Sequence, residues 1–158
     1  MMMELLAKVS IRQLRNDEAV PYNLLLDADP SKELVDKYLA NAVVYIAQFE
    51  NKVIGTYVLF ELHYDTVEIK NIAVEDDYQG KGIGKLMLHD AFERAKQKGY
   101  KKVIIGTANT SIGQLYLYQK VGFEITDIKK NFFIDNYSEP LFENGLRVKH
   151  MIVLMKQL

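Results

Sequence analysis

The chain has 158 residues, 49% of them hydrophobic and 26% charged, with a formal net charge of −1. This length suits one domain over residues 1–158 with a core that needs no disulfide or metal staple, and the balanced charge leaves no overall basic footprint for nucleic acid. Cysteine is absent, which excludes thiol nucleophiles, disulfides and thiolate zinc sites and agrees with a reducing cytoplasm.

At the N-terminus, Met1 to Lys8 lacks the charged start and longer apolar stretch of a signal peptide. No apolar run approaches the ~20 residues of a membrane helix. A cytoplasmic protein with no membrane or nucleic-acid partner is the expectation. A homodimer, the commonest soluble oligomer, is compatible with the sequence without being indicated by it.

Imperfect alternation of Val9 and Ile11 with Ser10 and Arg12 predicts a first strand over Lys8 to Arg15. Short helices follow, one starting from Ser31 as N-cap and running through Leu34, Val35, Tyr38 and Leu39. Ala42 to Phe49 and Lys52 to Leu62 are β-branched and aromatic runs separated by Glu50-Asn51, which reads as a hairpin. Thr66 to Val74 is a further strand whose pattern changes phase. Val67 and Ile69 lie in one register, Ile72 and Val74 in the other, so a β-bulge near Lys70-Asn71 is predicted.

Lys81 to Lys98 is the clearest helix, with Ile83, Leu86, Met87, Ala91 and Ala95 at helical spacing and Gly99 as a left-handed cap. A short buried strand over Lys102 to Gly106, a helix over Ser111 to Val121 and a strand from Gly122-Phe123 towards Ile128 come next. Lys129 to Leu146 reads as irregular, and Val148 to Met155 as a last strand. Strands around two main helices imply a mixed α/β layer built on one sheet.

The chemistry is concentrated where a strand turns into Gln79-Gly80-Lys81-Gly82-Ile83-Gly84 and opens a helix. Glycines there let a ligand approach the backbone, and the unpaired N–H groups at a helix start favour phosphate. Lys81 and Lys85 reinforce that preference, although solvated helix-start lysines are the plain alternative. A dinucleotide fingerprint and a Walker A loop both fail on spacing, because each requires glycine where Lys85 stands.

The loop resembles the Q/R-x-x-G-x-G/A pyrophosphate loop of the GNAT family of N-acetyltransferases. Ile72-Ala73-Val74 is similar to that family's fourth strand, and Leu117-Tyr118-Gln119-Lys120-Val121-Gly122-Phe123 to its LY-x-K-x-GF segment. The resemblance spans roughly residues 8 to 128. It implies a mixed, splayed sheet of six or seven strands with helices on both faces, and acetyl-CoA as co-substrate wedged between the strands at Thr66–Val74 and Lys102–Gly106.

By the same resemblance, the pyrophosphate rests on backbone N–H groups of Gln79 to Gly84, and the main chain of Ile72, Ala73 and Val74 pairs with the pantetheine arm. Tyr118 matches the tyrosine that protonates the departing thiolate. Glu68, eleven residues before Gln79, resembles a general-base glutamate. Asn109 and Ser111 are candidates for the CoA-arm contact. The family's asparagine stands seven residues before the tyrosine, a place held here by Ser111.

The chemistry agrees with these roles. An alkyl amine is mostly protonated at pH 7, so a carboxylate helps to deprotonate it, and a phenol can supply the thiolate's proton. Without cysteine, direct transfer in a ternary complex to a small-molecule or peptide amine is the natural route. Plainer readings stay open: Glu68 as a surface strand residue paired with a lysine, Tyr118 as packing, Tyr116 in its place. A catalytically idle acyl-CoA-binding module on the same fold is the alternative function.

His63, His89 and His150 show no metal-ligand spacing, so no metal is expected. The aromatics and carboxylates of the segment from Lys129 to Glu143 would suit a cationic amine, or would serve only to pack a surface loop.

Overall fold

A computed structural model describes residues 1–158. Seven strands form one sheet in the order β1 (Ser10–Gln13), β2 (Ala42–Phe49), β3 (Lys52–His63), β4 (Thr66–Val74), β5 (Lys102–Ala108), β9 (Met151–Gln157), β6 (Glu124–Lys129). Only β4 and β5 run parallel; every other neighbouring pair is antiparallel. Helices cover both faces, as expected. On one side, α1 (Met2–Lys8), α4 (Ile83–Gln97) and α5 (Ile112–Lys120) pack over the main core around Tyr45, Leu59, Ile69, Met87, Phe92 and Leu154. On the other, α2 (Tyr22–Ala28) and α3 (Lys32–Leu39) close a smaller cluster of Leu25, Val35, Tyr38 and Val58.

Local chemistry accounts for the element boundaries. Glu50 and Asn51 both adopt positive φ, 50° and 67°, the geometry of the tight hairpin turn between β2 and β3. Ser31 Oγ accepts from Leu34 N–H at 3.3 Å and caps α3. Gly99, at φ 90°, ends the long helix in the left-handed conformation its sequence position indicates.

Four expectations need correction. Lys8 belongs to α1, which the sequence reading did not anticipate, and β1 starts only at Ser10. The long helix starts at Ile83, because Gly80 and Gly82 have φ of 71° and 88° and cannot be helical. The last strand runs from Met151 to Gln157. The segment read as irregular contains α6 (Phe132–Asn136) and a small ladder of β7 (Phe142–Glu143) with β8 (Leu146–Arg147). Elements of two to five residues are too short to display a hydrophobic period.

A half-buried polar network fixes α4 to the sheet. Tyr57 Oη donates to Asp90 Oδ2 at 2.6 Å, and Arg94 Nε donates to the same oxygen at 2.7 Å. Arg94 Nη2 continues to the carbonyl of Ile11 at 2.9 Å. With Ile83, Met87, Leu88, Ala91 and Ala95 fully buried beneath it, this helix holds its N-terminus in one place.

The predicted bulge is present. Val58 pairs with Asn71 and Leu59 with Ile69, leaving Lys70 as the extra residue on β4. Ile72 and Val74 thereby return to the side of Val67 and Ile69 and pack against the main core. Asn71 turns the other way, where its Nδ2 donates to the carbonyl of Leu25 and to Tyr38 Oη, both at 2.9 Å. Asn71→Ala is expected to strand both buried partners and cost about 2 kcal/mol. That is a fall in Tm of about 4–8 °C for a chain of this size, and an unchanged Tm would show that these bonds do not hold α2 to the bulge.

Candidate active site

Pairing between β4 and β5 stops at Ile69 opposite Ile105. Beyond that point β4 follows β3 and β5 follows β9, so the two parallel strands part at the bulge. A cleft of about 520 Å3 lies along the freed part of β4. Its walls are Ile72, Ala73 and Val74, the start of α4, one side of α5 and the end of α2.

The freed edge carries usable main-chain groups. Glu75 N–H donates to the carbonyl of Ile54 at 2.8 Å. Main-chain groups alternate along a strand, so those of Ile72 and Val74 face away from β3 and into the opening. The carbonyl of Val74 accepts from Gln79 Nε2 at 3.0 Å, which ties the strand end to the loop that follows. Gln79 Nε2 also reaches Asp76 Oδ1 at 3.2 Å.

That loop turns on two left-handed glycines. Gly82 is the N-cap of α4 and supplies no side-chain acceptor, so the first-turn N–H groups of the helix remain without a side-chain partner. A Cβ on Gly82 would lie 3.3 Å from Leu6 Cδ1 of α1, so the loop is backed by apolar side chain on its far side. A Cβ on Gly84 would lie 3.7 Å from Leu117 Cδ2, an ordinary contact distance, which puts the start of α4 directly against α5. The result is a concave run of backbone donors at the positive end of a helix dipole, a geometry suited to a diphosphate.

Of the sequence candidates, Ile72, Ala73, Val74, Gln79, Gly80, Gly82, Ile83, Gly84, Lys85 and Tyr118 meet in the cleft wall. Lys81 is exposed beside the loop, with Nζ 5.5 Å above the Tyr78 ring. Three candidates lie elsewhere. Glu68 does not line the cleft wall, and its Oε1 is 3.5 Å from Lys70 Nζ. Asn109 Oδ1 accepts from the N–H groups of Lys149 and His150, and its Nδ2 donates to the carbonyl of Arg147, so it staples the approach to β9. Ser111 Oγ donates to Glu143 Oε1 at 2.7 Å and joins the β7–β8 ladder to the start of α5.

Tyr118 is buried, at 5% exposure, yet reaches the cleft. Its ring packs 5.9 Å from that of Phe123. Burial pushes its phenol well above the ordinary tyrosine range, so the hydroxyl keeps its proton. The sequence reading missed Tyr78, Gln114 and Asp27, which also line the cleft. Tyr78 lies directly before the loop and was within reach of the motif. Asp27 comes from a short helix far away in sequence, and no local signal marks it.

The sequence matches the Acetyltransferase (GNAT) family over residues 9–123. It is 46% identical over 147 residues to the uncharacterized N-acetyltransferase YvbK of Bacillus subtilis, covering 93% of this chain and 94% of that one. The fold is similar to a GNAT family acetyltransferase from Elizabethkingia anophelis with acetyl-CoA bound, at 52% identity and a TM-score of 0.94 over 96% of this chain and 99% of that one. A Bacillus subtilis acetyltransferase in complex with CoA matches at 44% identity and a TM-score of 0.90, over 96% of this chain and 99% of that one. A splayed β4–β5 pair, a glycine loop with free amides and these likenesses together place the chain in the GNAT family, as an acetyl-CoA-dependent N-acetyltransferase.

Proposed function

We propose that the cleft binds acetyl-CoA along β4 and transfers its acetyl group directly to a primary amine of a small molecule or peptide. The observation that carries this reading is the parting of β4 from β5 beside a loop whose amides have no side-chain partner. Ile72 and Val74 offer main-chain groups to the pantetheine amides. The N–H groups from Gly80 to Gly84 hold the diphosphate, with Lys81 and Lys85 adding positive charge at that end.

Bound acetyl-CoA supplies the acetyl group as a thioester, which an amine can attack. When the C–N bond forms and the C–S bond breaks, the sulfur needs a proton and the nitrogen must lose one. Tyr118 holds a proton at Oη, in the cleft wall, for the sulfur. The nitrogen's proton leaves to solvent through the open cleft, and Tyr118 is reprotonated from the same source. A base role for Glu68 would require its carboxylate to leave Lys70 and reach a cleft whose wall it does not line.

Tyr118→Phe is expected to lower kcat by about tenfold to a hundredfold, the size of a general-acid contribution, while acetyl-CoA affinity stays nearly intact. Unchanged turnover in a thiol-release assay would remove the acid role. Bound acetyl-CoA with no release for any amine would favour an idle binding module.

The pH profile has a definite sign. Because burial raises the Tyr118 pKa, its proton remains available through the ordinary tyrosine range near 10. Activity should therefore rise with pH as the free amine accumulates, with no decline below about pH 10. A descending limb centred near pH 8 would contradict it.

Gly82→Asp tests the loop. The substitution puts a carboxylate among the donors meant for phosphate and is expected to weaken CoA binding by more than about tenfold. Calorimetric titration showing normal affinity, with Tm unchanged, would reject the loop as the diphosphate site.

A further inference from the structure

Several carboxylates on or beside α2, α3 and β4 are engaged. Asp29 Oδ1 accepts from Tyr137 Oη at 2.8 Å and from Ser31 N–H at 3.1 Å. Asp36 is held by Tyr22 and Lys32. Glu68 faces Lys70. Asp27 has neither a hydrogen-bond partner nor an ion-pair partner, and it is the one acidic residue in the cleft wall.

The position of Asp27 is fixed by the fold. Asn71 Nδ2 grips the carbonyl of Leu25 and clamps the last turn of α2 over the bulge. Asp27 and Ala28 leave that turn as the cleft wall beside Ile72 and Ala73. Charge is thus divided along the opening, with the glycine-loop amides and Lys85 at one end and a free carboxylate at the other. Carbonyls at the end of α2 add negative potential on the side of Asp27. Tyr78, Tyr116 and Tyr118 contribute aromatic surface to the same walls. Lys120, the second cation in the wall, stands 5.6 Å from the Tyr116 ring centroid.

Asp27 is itself exposed, so its unpaired carboxylate stands at the rim of the cleft, where it attracts a cation entering from solvent. We propose that the acceptor is a cationic amine, of the diamine or basic-peptide class, and that Asp27 binds its ammonium group. Amines carrying a carboxylate beside the nitrogen are disfavoured at this position. The assignment rests on the acetyl-transfer reading above, and it names the acceptor class and a specificity residue for that reaction.

The test compares 1,4-diaminobutane, glycinamide and glutamate as acceptors at equal concentration, with the protein saturated with acetyl-CoA. The expected order of kcat/KM is diamine, then glycinamide, then glutamate. Asp27→Asn should raise KM for 1,4-diaminobutane about tenfold, the loss of one charge-assisted contact, with the effect falling on KM far more than on kcat. Raising the salt from 0.05 to about 0.5 M should raise the wild-type KM for the diamine and leave that of Asp27→Asn nearly flat. Asp27→Lys should shift preference towards glutamate.

Calorimetric titration of 1,4-diaminobutane into the CoA-bound protein separates this inference from the reading beneath it. Diamine binding that weakens in Asp27→Asn, without thiol release, would leave Asp27 in place and overturn acetyl transfer. Acetyl transfer with the same KM in wild type and Asp27→Asn, or a wild-type preference for glutamate, would overturn Asp27 and keep the reaction. Absence of both binding and transfer across the three amines would overturn both.

Discussion

The extra residue at Lys70 is the constraint on which the rest of the site depends. Without it, β4 would carry Ile72 and Val74 to the α2 side of the sheet and lose their packing against the main core. With it, the apolar side chains stay in the core while the strand changes direction, and pairing with β5 ends at Ile69. A parallel pair held along its full length would leave no free main-chain edge. Here the edge at Ile72 and Val74 is exposed to the cleft, and Gln79 uses one of its carbonyls to set the glycine loop at the far end.

The supporting structure keeps that opening from closing. Tyr57, Asp90 and Arg94 anchor α4 to β3 and β1, which determines where the helix start presents its amides. Asn71 performs the corresponding task for α2 on the other face. Its Oδ1 is buried and has no partner, a cost accepted by a side chain whose amide nitrogen already bridges two elements. Ser111 and Thr110 both donate to Glu143, so the small β7–β8 ladder braces the start of α5, two turns before Tyr118. The bonds of Asn71 are buried, where geometry is enforced by the penalty for leaving a group unpaired, whereas those of Asp90, Arg94 and Glu143 are only partly buried.

Much of this was legible from the residues. The phase change from Ile69 to Ile72 located the bulge, Glu50-Asn51 located the hairpin, and two glycines ahead of an amphipathic run located the phosphate end. These signals are local, because they depend on side-chain period and on backbone conformations that few residues tolerate. The resemblance of Gln79–Gly84 and Leu117–Phe123 to one family supplied the activity, and ten of the proposed site residues do meet in the cleft wall. Glu68, Asn109 and Ser111 were placed by their distance along the chain from a motif residue. Such spacing does not report which face of a strand a side chain takes after a bulge, or that Asn109 bonds to backbone forty residues away. Asp27 is invisible for the same reason: it joins the site through the packing of α2 on β4, a contact between distant segments.

The central claim is that the parted strand edge and the glycine-loop amides together form the acetyl-CoA site. Amide hydrogen exchange followed by NMR, with and without acetyl-CoA, tests it most directly, since it reads the backbone groups themselves. The account predicts slowed exchange at Ile72, Val74 and Gly80 to Lys85 on binding, with the amides of Lys149 and His150, already held by Asn109, unchanged. Binding that leaves Ile72, Val74 and the loop exchanging as before would contradict it.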